Sequence, residues 1–171
     1  TELPAAHNLL GILKGVLLTP DDVDLVKGAP LLRRRFFDLQ IAQVDPLYVH
    51  YLTRYHLAMR QRNALLRKKS CLAIESFEYE MANAASYMTL QRFKLVEELN
   101  ILSQPLHELL VGPQEALQIL YKMPAENLKD LKQFYIGLFK KNRLRELDLG
   151  LTISGPHKDD LLIFLNQREA K

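Results

Sequence analysis

Between Pro46 and Pro105 the chain contains neither glycine nor proline. A run of that length exceeds any ordinary strand and carries none of the residues that stop a helix, so it predicts two long helices. In its first half Tyr48, Leu52, Tyr55, Met59, Leu66 and Ala73 fall mostly on a 4-3 spacing, with Arg62 and Lys69 interrupting the seam. In its second half Phe77, Met81, Ala84, Met88 and Leu95 repeat the spacing, with Gln91 in the gap, before the stripe shifts to Leu99 and Leu102. Polar Arg67-Lys68-Lys69-Ser70 joins the halves, which predicts an antiparallel helical hairpin. The seam is too short and too often interrupted for a sustained coiled coil.

Punctuation places the other elements. Residues 9–18 are apolar and interrupted by Gly11 and Gly15, and read as one or two strands. Thr19-Pro20-Asp21-Asp22 opens a short helix: Thr can cap free amides, Pro suits the first turn, and the carboxylates favour the positive end of the helix dipole. That helix should stop near Gly28, and Pro30 opens the next, which Asp45-Pro46 breaks. Beyond Gly112-Pro113, residues 116–121 alternate as a short strand, and a further helix covers about 126–147, with Leu128, Leu131, Phe134, Tyr135, Leu138 and Phe139 on its apolar side. Residues 148–166 look β-rich: 149–153 and 161–165 read as strands around a turn at Gly155-Pro156.

Composition narrows the class without choosing a function. At 171 residues, 48% hydrophobic and 25% charged, the chain can bury a real core. No apolar run approaches the ~20 residues of a membrane span, and the first residues lack the basic start and apolar stretch of a signal peptide. They also lack an initiator Met, which hints at a processed or excised chain. The single Cys71 can form no internal disulfide, which fits a reducing cytoplasmic setting. A net charge of +3 permits nucleic-acid binding without demanding it.

Two zones could carry chemistry. Arg33-Arg34-Arg35 lies on a helix, so at most two of the three share a surface; they serve either as salt-bridge partners or as phosphate contacts. Arg54, Arg60, Arg62, Arg67, Lys68 and Lys69 extend the basic zone, with Arg60 and Arg67 on one face. Tyr48, Tyr51 and Tyr55 sit at helical spacing and read as core. The second zone, Gly155-Pro156-His157-Lys158-Asp159-Asp160, groups an imidazole, an ammonium and two carboxylates. His157 with Asp159 or Asp160 could hold a divalent metal, the basis of a hydrolase reading, but no other histidine shows ligand spacing. The favoured reading is a turn and strand entry whose charged groups face a partner lobe or phosphate. No glycine-rich turn runs into Gly-Lys-Ser/Thr, and no GxGxxG occurs.

Several of these segments together resemble the RecF family, SMC/ABC-type ATPases of bacterial DNA repair. The resemblance rests on residues 13–30 with their Thr-Pro-Asp-Asp start and Leu25-Val26-Lys27-Gly28, on Arg33-Arg34-Arg35-Phe36-Phe37-Asp38, on Tyr55-His56 and 61–66, on Met81-Ala82, on Arg92 and 117–121, and on 150–161. Two positions depart from it: Lys158 stands where the family has Arg, keeping the charge but not bidentate contact, and Phe77 stands where a Trp is usual.

The resemblance implies a helix-rich mixed α/β fold: a helical arm or lid at 20–147, with a short strand near 116–121, flanked by β-rich head segments at 1–19 and 148–171. It implies a parent ATPase that binds ATP and Mg, dimerises on ATP, binds gapped or junction DNA, and works with RecR and RecO to help RecA load. Walker A would precede this chain, and the signature loop and Walker B would follow it, so the chain alone is expected to hydrolyse no ATP. Arg33, Arg34, Arg35, Arg60 and Arg67 are the expected DNA or partner contacts, and His157, Lys158, Asp159 and Asp160 an expected head interface. A free-standing helical interaction module is the alternative.

Overall fold

The structure is a computed structural model that describes residues 19–123, 125 and 127–170. The strands expected over 9–18 lie outside the described residues. The chain divides into two compact units, one comprising residues 19–46, 91–122 and 159–170 of those described, the other 47–90 and 123–158. Two of these divisions fall inside helices, one of them just after a helix's first residue.

In the first unit, Thr19 exchanges hydrogen bonds with Asp22 and starts a 3-10 turn, Pro20–Val23, that continues as α1, Asp24–Lys27. Gly28 ends α1, and Pro30 sits in the first turn of α2, Pro30–Val44. The long helix α4, Ile74–Val111, contributes its second half to this unit. A three-stranded antiparallel sheet, in the order β1, Leu117–Lys122, β2, Asp160–Leu165, and β3, Arg168–Glu169, completes it, with Ile119 opposite Ile163. Phe37, Val96 and Leu161 form the buried centre, with Phe36, Leu95, Leu99, Ile119 and Tyr121 packed around it.

The outer edge of β1 is held by amide side chains from α4. The Asn100 Nδ2 donates to Ile119 O and its Oδ1 accepts from Ile119 N, both at 2.8 Å, while Gln104 Oε1 accepts from Leu117 N at 3.2 Å. Spaced four apart, the two amides satisfy backbone groups that a bare strand edge would leave for another chain.

The second unit packs three helices: α3, Pro46–Arg67, the first half of α4, and α5, Leu131–Leu149. Contacts between α3 and α4 run Arg62–Glu78, Arg54–Glu80 and Tyr51–Tyr87, so one number falls as the other rises, as an antiparallel hairpin requires. The α3–α4 turn closes without glycine, Lys69 and Ala73 taking left-handed φ values of 51° and 57°. Ala73, expected in the seam, is therefore an exposed turn residue.

The second long helix continues through Pro105 to Val111 and ends at Gly112, φ +92°; Pro105 is exposed, where one missing amide is tolerated. The structure corrects two expectations. The last helix begins at Leu131 rather than 126, because Asn127 Oδ1 accepts from Lys129 N in a local turn, and Leu128 falls outside it. Residues 149–153 form no strand. The last turn of α5 reaches Leu149 and closes on Gly150 at φ +69°; Thr152 N then donates to Asn63 Oδ1 and Ile153 N to Glu146 Oε1. Side chains take the bonds that a neighbouring strand would have made.

Candidate nucleic-acid and partner interface

Arg33 is drawn inward by its own unit. Its Nε and Nη2 grip both Asp160 carboxylate oxygens at 2.8 and 2.9 Å, and Nη1 donates to the carbonyls of Gly28 and Val26 at 2.9 and 3.3 Å. This fork holds the α1–α2 corner against the start of β2. Arg34 Nη1 donates to Asp159 O at 2.8 Å, whereas Arg35 points to solvent. One helical turn thus sends the three arginines in different directions, as a 100° advance per residue requires.

Asp159 is 4% exposed and accepts a hydrogen bond from Tyr121. Arg92 Nη1 stands 3.9 Å away, but that guanidinium is committed to Asp38, at 2.7 Å through Nη2. Burial pushes the Asp159 carboxyl up to about 6, against the opposing pull of Tyr121, Arg92 and Arg34. Asp160 goes the other way: burial alone would raise it, but the hydrogen bonds from Arg33 and Leu161 N outweigh that and hold it below the usual carboxylate range. Conversely, the bond to Asp160 raises the Arg33 guanidinium, while burial and Arg92 lower that of Arg34.

In the second unit Arg62, one of the residues that interrupt the sequence seam, is fully buried. It lies 2.9 Å from Glu78 Oε1 and 2.6 Å from Glu146 Oε2, and donates to Thr152 Oγ1 at 2.9 Å. Arg143 closes the cluster, bonding Glu78 through Nη2 at 2.6 Å and Glu75 through Nη1 at 3.1 Å; the Glu78 hydrogen bond raises its guanidinium despite partial burial. The expected extension of the basic surface through Arg62 is thus overturned, since its charge is cancelled inside the helices. The signal was present in the sequence: an arginine on the Tyr48–Tyr55–Leu66 face must bury a partner with it.

The same cluster fixes the segment after α5. Asn63 accepts from both Thr152 N and Thr152 Oγ1, and Glu146 from Ile153 N. His157 is held at both ring nitrogens, Nδ1 by the Tyr55 hydroxyl at 2.7 Å and Nε2 by Thr152 O at 3.2 Å. A carbonyl only accepts, so Nε2 carries the proton and Nδ1 accepts from Tyr55. Gly155, φ +124°, passes so close to the Tyr55 hydroxyl that a Cβ would collide with it. Lys158 stands exposed beyond this clamp.

The expected site residues therefore fall into two groups. The first unit holds Arg33, Arg34, Arg35, Asp159 and Asp160; the second holds Arg60, Arg67, His157 and Lys158. Arg60 and Arg67 are exposed on α3. The metal reading gains nothing: among the described residues no three His, Cys, Asp or Glu side chains converge, and His157, Asp159 and Asp160 are committed to the partners above. No described helix is long and apolar enough to cross a membrane.

No protein-family model matches the chain. A relative from Protochlamydia amoebophila, DNA replication and repair protein RecF, is 45% identical over 174 residues, covering 100% of this chain and 48% of its own length. The RecF of Bacillus pumilus is 36% identical, over 95% of this chain and 47% of its own. Two solved structures of RecF, described as a recombination mediator protein in the RecFOR pathway, share the fold at 23% identity. The first, RecF–ATP, gives a TM-score of 0.87 over 95% of this chain and 46% of its own; the second gives 0.89 over 98% and 47%. The chain spans about half the length of the curated relatives it matches. Along its whole length the chain is thus similar to about half of RecF proteins, and it shares their helix-rich fold with a small antiparallel sheet.

Proposed function

We propose that this chain serves in a RecF-type protein that binds ATP and Mg and binds gapped or junction DNA in recombinational repair and replication restart. The observation that carries the proposal is the 45% identity across the full chain to a DNA replication and repair protein RecF, supported by the fold shared with RecF–ATP. RecR and RecO are the proposed protein partners, the cytoplasm the proposed setting, and ATP-dependent pairing of two copies the proposed active state. Residues 20–147 are proposed to act as a helical arm or lid beside head segments at 1–19 and 148–171.

The geometry sorts the proposed contacts. Arg35, Arg60 and Arg67 are exposed and available to phosphate or a partner, whereas Arg33 and Arg34 contribute by bracing the start of β2. For residues 157–160 an interface role falls to Lys158, the exposed member of the four.

Fluorescence anisotropy of the native protein with labelled gapped duplex, across a salt series with and without ATP and Mg, tests the proposal. Binding that strengthens with ATP and weakens steeply as salt rises is expected. Absence of binding at low salt in the presence of ATP would overturn it.

A further inference from the structure

Helix α5 has two unlike faces. Leu131, Tyr135, Phe139 and Glu146 turn inward and are buried, the last of them beside Arg62. At 100° per residue the opposite ridge runs through Gly137, Lys140 with Lys141, Leu144 and Asp148, all of them exposed. Arg145 is exposed on the flank of this ridge. The other charged groups of the helix are already committed: Arg143 to Glu75 and Glu78, Glu146 to Arg62, and Lys132 to the ring and hydroxyl of Tyr79. Lys140, Lys141 and Arg145 have no ion-pair partner among the described residues.

Two features of the ridge are not required by the packing of the unit. Gly137 sits in the middle of the helix, where glycine is the poorest helix former other than proline. A Cβ there would meet no atom within 4 Å, so the position has room for a side chain and gives up helix stability by lacking one. Two turns further on, about 10 Å away, Leu144 is 79% exposed. A glycine notch and a bare leucine on one ridge fit the close approach of another helix, whose side chain fills the notch while its apolar face covers the leucine. Lys140, Lys141 and Arg145, set against the single carboxylate of Asp148, call for an acidic partner. A phosphate backbone fits less well, since it would meet Leu144 within the ridge and Asp148 at its end.

We infer that the outward ridge of α5, from Gly137 to Asp148, docks an acidic amphipathic helix of another protein. At 1.5 Å per residue the ridge is about 16 Å long, enough for a partner helix of three turns to seat apolar side chains in the Gly137 notch and beside Leu144. Lys140, Lys141 and Arg145 then take the partner's carboxylates around that apolar contact. Charge lies at the rim and leucine at the centre, as in protein–protein interfaces generally. The surface lies wholly within the second unit, stands independently of the RecF reading, and involves neither DNA nor ATP.

The test uses the full chain and two labelled synthetic peptides of about 18 residues, five helical turns. One carries leucines at every third and fourth position and glutamates elsewhere; the other has lysines in place of the glutamates. Fluorescence anisotropy should show binding of the glutamate peptide that weakens as salt rises, and binding of the lysine peptide about tenfold weaker or less. Leu144→Ser should weaken the glutamate peptide about tenfold. Lys140→Gln with Lys141→Gln should weaken it by a similar factor and flatten its salt dependence. Gly137→Gln separates docking from folding, because it places a good helix former in open space. Its melting temperature should rise by a few degrees while its affinity for the glutamate peptide falls about fivefold. Native affinity in any of these variants, no binding of the glutamate peptide, or equal binding of both peptides would overturn the docking surface. Loss of duplex DNA binding by the double-lysine variant, with its glutamate-peptide affinity unchanged, would overturn it too and give the ridge to nucleic acid.

Discussion

Arg62 in the second unit and Arg92 in the first are almost equally hidden, at 0% and 3% exposure, but their surroundings differ. Arg62 has two buried carboxylates within 3 Å and a hydroxyl to complete its fork. Arg92 gives its close contacts to Asp38, which is partly exposed, and leaves the buried Asp159 at 3.9 Å. Among the described residues of the second unit, every buried charge has an opposite charge in contact. In the first, a buried carboxylate is left short of a cation, and burial decides its protonation. Distance, rather than mere presence of an arginine, separates the two surroundings.

The sharpest break of that contrast is Arg62→Met. The substitution keeps the stem's packing but leaves Glu146 buried without its guanidinium, while Glu78 keeps Arg143. Removal of one partner from a buried ion pair costs about 3–5 kcal/mol, and urea denaturation should show a loss of that order. Arg62→Met with Glu146→Leu should recover part of it, because the orphaned charge is then gone. A single variant within ~0.5 kcal/mol of the native protein would show that the cluster does not hold the unit together.

Asp159→Asn probes the other side at a smaller scale. A folded-state value near 6, above the ordinary carboxylate range, means the folded protein holds the proton more tightly than the unfolded chain. The group therefore stabilises the fold fully below about pH 4, and that contribution is lost as pH rises through 6. Between pH 4.5 and 7.5 the loss amounts to about 2 kcal/mol. The Asn variant still accepts from Tyr121 but does not titrate. Denaturation midpoints at the two pH values should differ less in the variant than in the native protein; an unchanged difference would remove Asp159 as the source.

Much of the fold was legible because helix boundaries announce themselves. Thr19-Pro20, Gly28, Pro30 and Asp45-Pro46 punctuate the chain where the helices do start and stop, and the hairpin follows from two apolar seams with a polar joint. The misplaced elements have different causes, and a local turn at Asn127 delays the start of α5. Segment 149–153 has strand-like composition, but long-range side chains, Asn63 and Glu146, claim its amides, and no local pattern reveals that. The candidate site was legible as residue types and not as partners. Arg33 and Asp160 were both singled out, yet their pairing across 127 positions appears only in the fold. Arg62 and Glu146 were hidden by the habit of reading charge as surface, although each sits on an apolar seam.

The smallest effect concerns that long-range pair and reverses the sign of the Asp159 test. Arg33 and Asp160 are partly exposed, with side-chain accessibilities of 11% and 19%, so solvent screens part of their attraction. Arg33→Ala should cost about 1–2 kcal/mol, more than a surface pair because two carbonyls lose a donor as well. Arg33→Lys should recover little, since an ammonium cannot reproduce the two-pronged grip on both carboxylate oxygens. Asp160 is held below the ordinary range, so its contribution is present above about pH 4 and fades as pH falls through the folded value. The native protein should therefore lose stability from this group on the acid side, where Asp159 adds it, and Arg33→Ala should flatten that acid limb while leaving the change between pH 4.5 and 7.5 almost intact. An Arg33→Ala protein whose acid limb matches the native one would mean that Asp160 does not depend on the fork, and the contrast between the two adjacent carboxylates would then need another cause.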